Sequence, residues 1–187
     1  MSSSKRIAKQ LLDRLLLGNG RYVSSRDTAA QRWQKRAAVE RRHPFAAVLV
    51  CSDIGVVPER MFDLEPGALY VLQSAANVVG EAEAAGALFA SHQYGIELFL
   101  VIGHTPCAAC AAAVDRSQPQ TLTALDATAA HLVRHTDEPD DASSFLARAH
   151  AVRMAHDLRS KVIDVQASVV AAHLDERSGR IRLLQDA

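Results

Sequence analysis

Two stretches decide the fold: Phe45-Ala-Ala-Val-Leu-Val50, followed at once by Cys51-Ser52-Asp53, and Leu98-Phe-Leu-Val-Ile102, followed by Gly103-His104-Thr105-Pro106-Cys107. Each is a continuous apolar run of strand length, the mark of a strand buried on both faces. Leu69-Tyr-Val-Leu72 is a third such run. Between the last two lies Gly80 to Tyr94, Ala-rich with Leu88 and Phe89, which reads as a helix closed by Gly95. Strand, helix and strand in alternation predict βαβ crossovers and a parallel sheet.

Outward from this centre, Ile7, Leu11, Leu12, Leu15 and Leu16 fall at helical spacing between Lys5 and Leu17. Gly18-Asn19-Gly20 is expected to end that helix. A second helix is expected from Thr28 to Arg42, capped by Asp27 or Thr28 and stopped by Pro44. Both are amphipathic and suited to wrap a partner subunit as readily as their own sheet. Downstream, the pattern predicts an Ala-rich helix start after Cys107, a helix from Leu122 to Arg134, an acidic loop from His135 to Asp141 and a long helix from Ser144 to Ser160. Ser168 to Leu174 and Arg180 to Leu184 form a terminal β-hairpin about an Asp-Glu-Arg-Ser-Gly turn. The expected architecture is α/β: a mostly parallel central sheet flanked by helices, with an N-terminal helical arm over 1–43 and a C-terminal hairpin, all in one domain over 1–187.

Composition narrows the function. With 21 Lys+Arg against 21 Asp+Glu the net charge is zero, so nothing global favours nucleic acid or an anionic membrane as partner. Hydrophobic residues at 49% and charged residues at 22% exclude a disordered chain. No apolar run approaches the roughly 20 residues of a membrane span. Met1-Ser-Ser-Ser-Lys-Arg enters an amphipathic stretch without an apolar leader core, and three cysteines make no disulfide framework, so a cytoplasmic protein is expected.

Both decisive runs end in residues that bind metals. Ligands in a parallel α/β sheet collect outside the carboxyl ends of its strands. If the two strands are neighbours, Cys51, His104 and Cys107 converge. Two thiolates and an imidazole suit zinc and leave a fourth tetrahedral position, which Asp53 could fill or act upon. A single Cys after a strand is ordinarily packing; ligand types at two strand ends together give the metal reading its weight. Cys107-Ala-Ala-Cys110 is formally a C-x-x-C, but Cys110 reads better as a small core-facing helix residue. His131 and His135 stand four apart without a third ligand and read as exposed helix histidines, while His150 and His156 share no helical face.

These residues resemble the β-class carbonic anhydrases. The likeness runs from about Leu12 almost to the C-terminus, through Leu15 to Val23, Cys51-Ser-Asp53, Pro58-Glu59, Phe62-Asp63, Pro66-Gly67-Ala-Leu69, Ala75-Ala-Asn77-Val-Val79, Gly103-His104-Thr-Pro-Cys107 and the turn from Asp175 to Gly179. The resemblance implies that Cys51, His104 and Cys107 are zinc ligands. It implies that Asp53 is the aspartate of an Asp–Arg dyad, either catalytic or itself a fourth ligand. It further implies reversible hydration of carbon dioxide to bicarbonate by zinc-bound hydroxide, in a homodimer or a higher assembly of dimers.

One departure outweighs the rest. The family pattern Cys-x-Asp-Ser-Arg reads Cys51-Ser52-Asp53-Ile54-Gly55 here. Without the guanidinium that would hold it off the metal, Asp53 is expected on the metal, in a closed four-coordinate site of structural character. Gln73 replaces a usual Arg, Ala76 a glycine, and Ala108 the common Gly after Cys107. Arg60 is the nearest substitute cation, although a solvated surface Arg is the preferred reading. Activity is then expected to be weak or gated by pH. The alternatives are a non-catalytic paralogue with a structural zinc, or a hydrolase or lyase of another small electrophile.

Overall fold

The computed structural model describes residues 3–24, 43–115, 139–162 and 166–184. The helices expected over Thr28 to Arg42 and Leu122 to Arg134, with His131 and His135, lie outside these. The elements run α1 (Ser3–Ser24), β1 (Ala46–Cys51), α2 (Pro58–Met61), β2 (Leu69–Ser74), a 3-10 turn (Ala75–Asn77), α3 (Glu81–Tyr94), β3 (Leu98–Thr105), α4 (Ala108–Val114), α5 (Pro139–Lys161), β4 (Ser168–Asp175) and β5 (Arg180–Leu183). Among the described residues the strands form one sheet in the order β2-β1-β3-β4-β5. β1, β2, β3 and β4 are parallel and β5 closes the edge antiparallel, as the sequence predicts.

The continuous apolar runs are explained by helices on both faces. Ala47, Leu49, Phe99, Val101, Val169 and Ala171 point to one side, against Ala87 and Ala90 of α3 and Met154, Ala155 and Leu158 of α5. Ala46, Val48, Val50, Leu98, Leu100 and Ile102 alternate with them and meet Leu15 of α1 with Met61 and Phe62. No described helix is long and apolar enough to cross a membrane.

Two element ends differ from expectation. α1 does not stop at Gly18-Asn19-Gly20 but continues to Ser24. The glycine serves close approach instead: a Cβ at Gly18 would run into the carbonyl of Phe62. Beside it the buried Asn19 donates to Met61 O and Gly179 O, both at 2.8 Å, and accepts the Ile181 N–H at 2.9 Å. The Gly-Asn pair is thus a docking point inside a helix. α5 begins at Pro139, within the stretch expected as loop, because proline suits a helix's first turn, where its missing N–H costs nothing.

Candidate metal centre

β1 and β3 are neighbours, so their carboxyl ends lie side by side. Cys51 is the last residue of β1, Asp53 sits in the turn after it, His104 is the next-to-last residue of β3, and Cys107 caps α4. One donor atom from each of Cys51, Asp53, His104 and Cys107 lies within 4.8 Å of all the others. Tetrahedral zinc places its donors about 3.3–3.8 Å apart, and thiolate, imidazole and carboxylate are its usual partners, so the set fits the ion by size and chemistry. Cys110 is buried behind Cys107, in a small apolar cluster with Ala113, Leu146 and Ala147.

Asp53 takes the fourth corner. Its Oδ1 lies 2.9 Å from His104 Nε2 and 3.8 Å from Cys107 Sγ, while Oδ2 accepts the Ala108 N–H at 2.6 Å. No Arg or Lys pairs with it among the described residues. Arg60 does not pair with Asp53. It is half-buried, its Nε has no partner among the described residues, and it lines a cavity of about 320 Å³ with Tyr22, Glu176 and Arg177. Ile54 packs with the apolar residues beneath the sheet.

Two contacts escaped the sequence reading. Cys51 Sγ accepts the Ala76 N–H at 3.0 Å, with Ala76 held at φ 54°. Glu176, first residue after β4, places Oε1 2.7 Å from His104 Nδ1 and accepts the Gly55 N–H at 3.0 Å. The signal for Glu176 is topological: β4 runs parallel to β3, so its carboxyl end opens onto the same edge.

Metal-free, the sulfur and imidazole donors hold their protons. A hydrogen bond with Cys107, then burial, pushes the Cys51 thiol far above its ordinary value. A hydrogen bond with Cys110, aided by burial, lifts Cys107 to about 12. Burial opposes charge on His104, but its hydrogen bond with Cys51 and the negative charge of Asp53 prevail and raise it to about 9. Burial also opposes charge on Asp53, and is outweighed by hydrogen bonds from Cys51 and the Ala108 amide, so that carboxyl falls below its ordinary range. The cluster is a proton-loaded cage with an ionised carboxylate at its mouth.

A fold and a donor set of this kind define a class, and comparison with known proteins identifies it. The carbonic anhydrase family model matches residues 46–181. The chain belongs to the β-carbonic anhydrase family. It is 35% identical over 83 residues to a carbonic anhydrase of Pseudomonas aeruginosa, covering 41% of this chain and 38% of that one. It is 31% identical over 111 residues to a carbonic anhydrase of Mycolicibacterium smegmatis, covering 58% and 50%. The chain thus matches about half the length, or less, of these relatives. The β-carbonic anhydrase CafA of Aspergillus fumigatus has a similar fold, with TM-score 0.71, 20% identity and coverage of 92% of this chain and 89% of that one. So does a tetrameric β-carbonic anhydrase of Sordaria macrospora, with TM-score 0.69, 14% identity and coverage of 94% and 95%.

Proposed function

We propose that this chain binds one zinc ion through Cys51, His104, Cys107 and Asp53 and catalyses the reversible hydration of carbon dioxide to bicarbonate. The observation that carries the proposal is the meeting of those four donors within 4.8 Å, at the strand ends of a chain of this family. Zinc held there would supply Lewis acidity, bringing a water nucleophile into range near neutral pH. The protein's own part is to fix the cage. The Ala76 amide steadies the Cys51 sulfur, and the Ala108 amide holds one Asp53 oxygen while the other faces the donors. For turnover, Oδ1 of Asp53 must leave the fourth corner and accept a hydrogen bond from the reacting water instead.

A closed, structural zinc is the second reading, favoured by one feature: among the described residues nothing cationic competes for Asp53 except His104. Stopped-flow carbon dioxide hydration at pH 7 and pH 9, with zinc content measured on the same sample, separates the two. We expect stoichiometric zinc and turnover stronger at pH 9. Stoichiometric zinc without turnover at either pH would overturn the enzymatic reading and leave the structural one. We further propose a cytoplasmic protein that acts as one unit over residues 1–187 and assembles as a homodimer or as paired dimers, with no nucleic acid or membrane partner. Leu17 of α1, and Phe89 and Tyr94 of α3 beside the β2 edge, are exposed apolar side chains consistent with such assembly.

A further inference from the structure

We propose that Glu176 is a positioning residue of the metal centre, a carboxylate that orients His104 from behind and occupies the volume a side chain at position 55 would fill. The inference rests on the zinc reading above and adds to it a part for the C-terminal hairpin.

His104 presents Nε2 to Asp53 and Nδ1 to Glu176 Oε1, at 2.9 and 2.7 Å. Carboxylates can only accept, so without metal both ring N–H groups donate, Nδ1 to Glu176 and Nε2 to Asp53; zinc would replace the Nε2 proton, while the Nδ1 proton stays on Glu176 Oε1 and keeps the ring's orientation. The same Oε1 accepts the Gly55 N–H at 3.0 Å, which ties the loop after β1 to the imidazole of β3. Glu176 is itself well held. Its backbone N–H bonds Thr105 O at 3.0 Å. The turn behind it is fixed by Asp175, which accepts the Ser178 hydroxyl at 2.7 Å and the Arg177 N–H at 3.0 Å.

Gly55 completes the argument. Its backbone does not need glycine, since φ is not in the left-handed region. A Cβ there would stand 2.9 Å from Glu176 Oε2 and 3.6 Å from its carboxyl carbon. A side chain at 55 would therefore crowd Oε2 and compete with the carboxylate for this space, while Oε1, the oxygen on His104, stays 3.9 Å from the added Cβ. The missing arginine and the incoming glutamate are one exchange: the space beside the cage holds an acceptor for the imidazole in place of a cation for Asp53.

The test measures zinc affinity by chelator competition, and the visible spectrum of the cobalt-loaded protein, for wild type, E176L, E176A, E176Q and G55A. Loss of an outer carboxylate behind a ligand His costs about 10–100-fold in metal affinity, so E176L should weaken zinc by that factor and shift the cobalt bands. E176Q keeps the accepting oxygen and should stay within about threefold of wild type. G55A crowds only the free oxygen of Glu176 and should weaken zinc less than E176L does. Wild-type affinity in E176L, or E176Q as weak as E176L, would overturn the proposal. Should E176L fail to fold, wild-type zinc affinity in E176A would overturn it as well. A wild-type protein that takes up no zinc would instead refute the underlying metal site.

Discussion

Among single residues, Ala76 carries the clearest strain. It holds φ 54° and ψ 25°, a left-handed conformation that costs a residue with a Cβ about 1–2 kcal/mol. Its amide bonds Cys51 Sγ, so the conformation is kept for the site's sake. An ordinary buried Ala→Gly change destabilises; Ala76→Gly should leave stability unchanged or raise it by up to about 1 kcal/mol in urea unfolding. A clear loss would show that the left-handed turn is not strained. The cage makes a second prediction. His104 is raised to about 9 and Cys107 to about 12, so at pH 7 the metal-free donors carry protons that zinc must displace. Calorimetric titration in buffers of different ionisation enthalpy should report release of about three protons per zinc, and affinity should climb from pH 6 to pH 9. Release of fewer than one proton would contradict the protonation state described. Cys51, Asp53, His104 and Cys107 were legible in the sequence because each follows an apolar strand run. Glu176 was not, because its turn carries ordinary turn residues and its meaning comes from the strand pairing alone.

At the scale of elements, α1 is fastened by Asn19, which bridges the end of α2 and the hairpin that carries Glu176. Asn19→Ala would strand two buried carbonyls and one N–H, a loss of about 2–4 kcal/mol in urea unfolding. A change below about 0.5 kcal/mol would mean that solvent satisfies those groups. The helix register of α1 was readable from its leucines, but its end was not. Glycine and asparagine signal both a helix stop and a close packing point, and only Phe62 on the other side of the contact decides between them. α3 shows the opposite outcome: Gly95 takes φ 66° and closes the helix where the sequence placed it.

For the molecule as a whole, histidines set the pH profile of the metal-free protein. Burial, reinforced by Arg153, lowers buried His150 to about 4, and burial with Arg148 lowers His173 to about 4. Unfolding lets both take up protons below about pH 6.5, so stability falls as pH drops from there toward 4. His104 acts in the opposite sense. Raised to about 9, it contributes stability that is complete below about pH 6.5 and is lost as pH rises through 9. Melting temperature of the metal-free protein should therefore peak near pH 6.5 and decline on both sides, whereas saturating zinc should remove the alkaline decline. A flat profile from pH 4 to 9 would contradict these assignments. The sheet order that unites these effects follows from parallel runs buried on both faces. The juxtaposition of three loop ends at one edge is what sequence spacing could only state conditionally.

The central claim is a single zinc ion between the ends of β1 and β3. Anomalous diffraction at the zinc edge from crystals of the zinc-supplemented protein tests it most directly. The account predicts one peak per chain, about 2.3 Å from the sulfurs of Cys51 and Cys107 and about 2.0–2.1 Å from His104 Nε2 and an Asp53 oxygen. No peak in that cage despite zinc in the crystal, or a peak held by other residues, would contradict it.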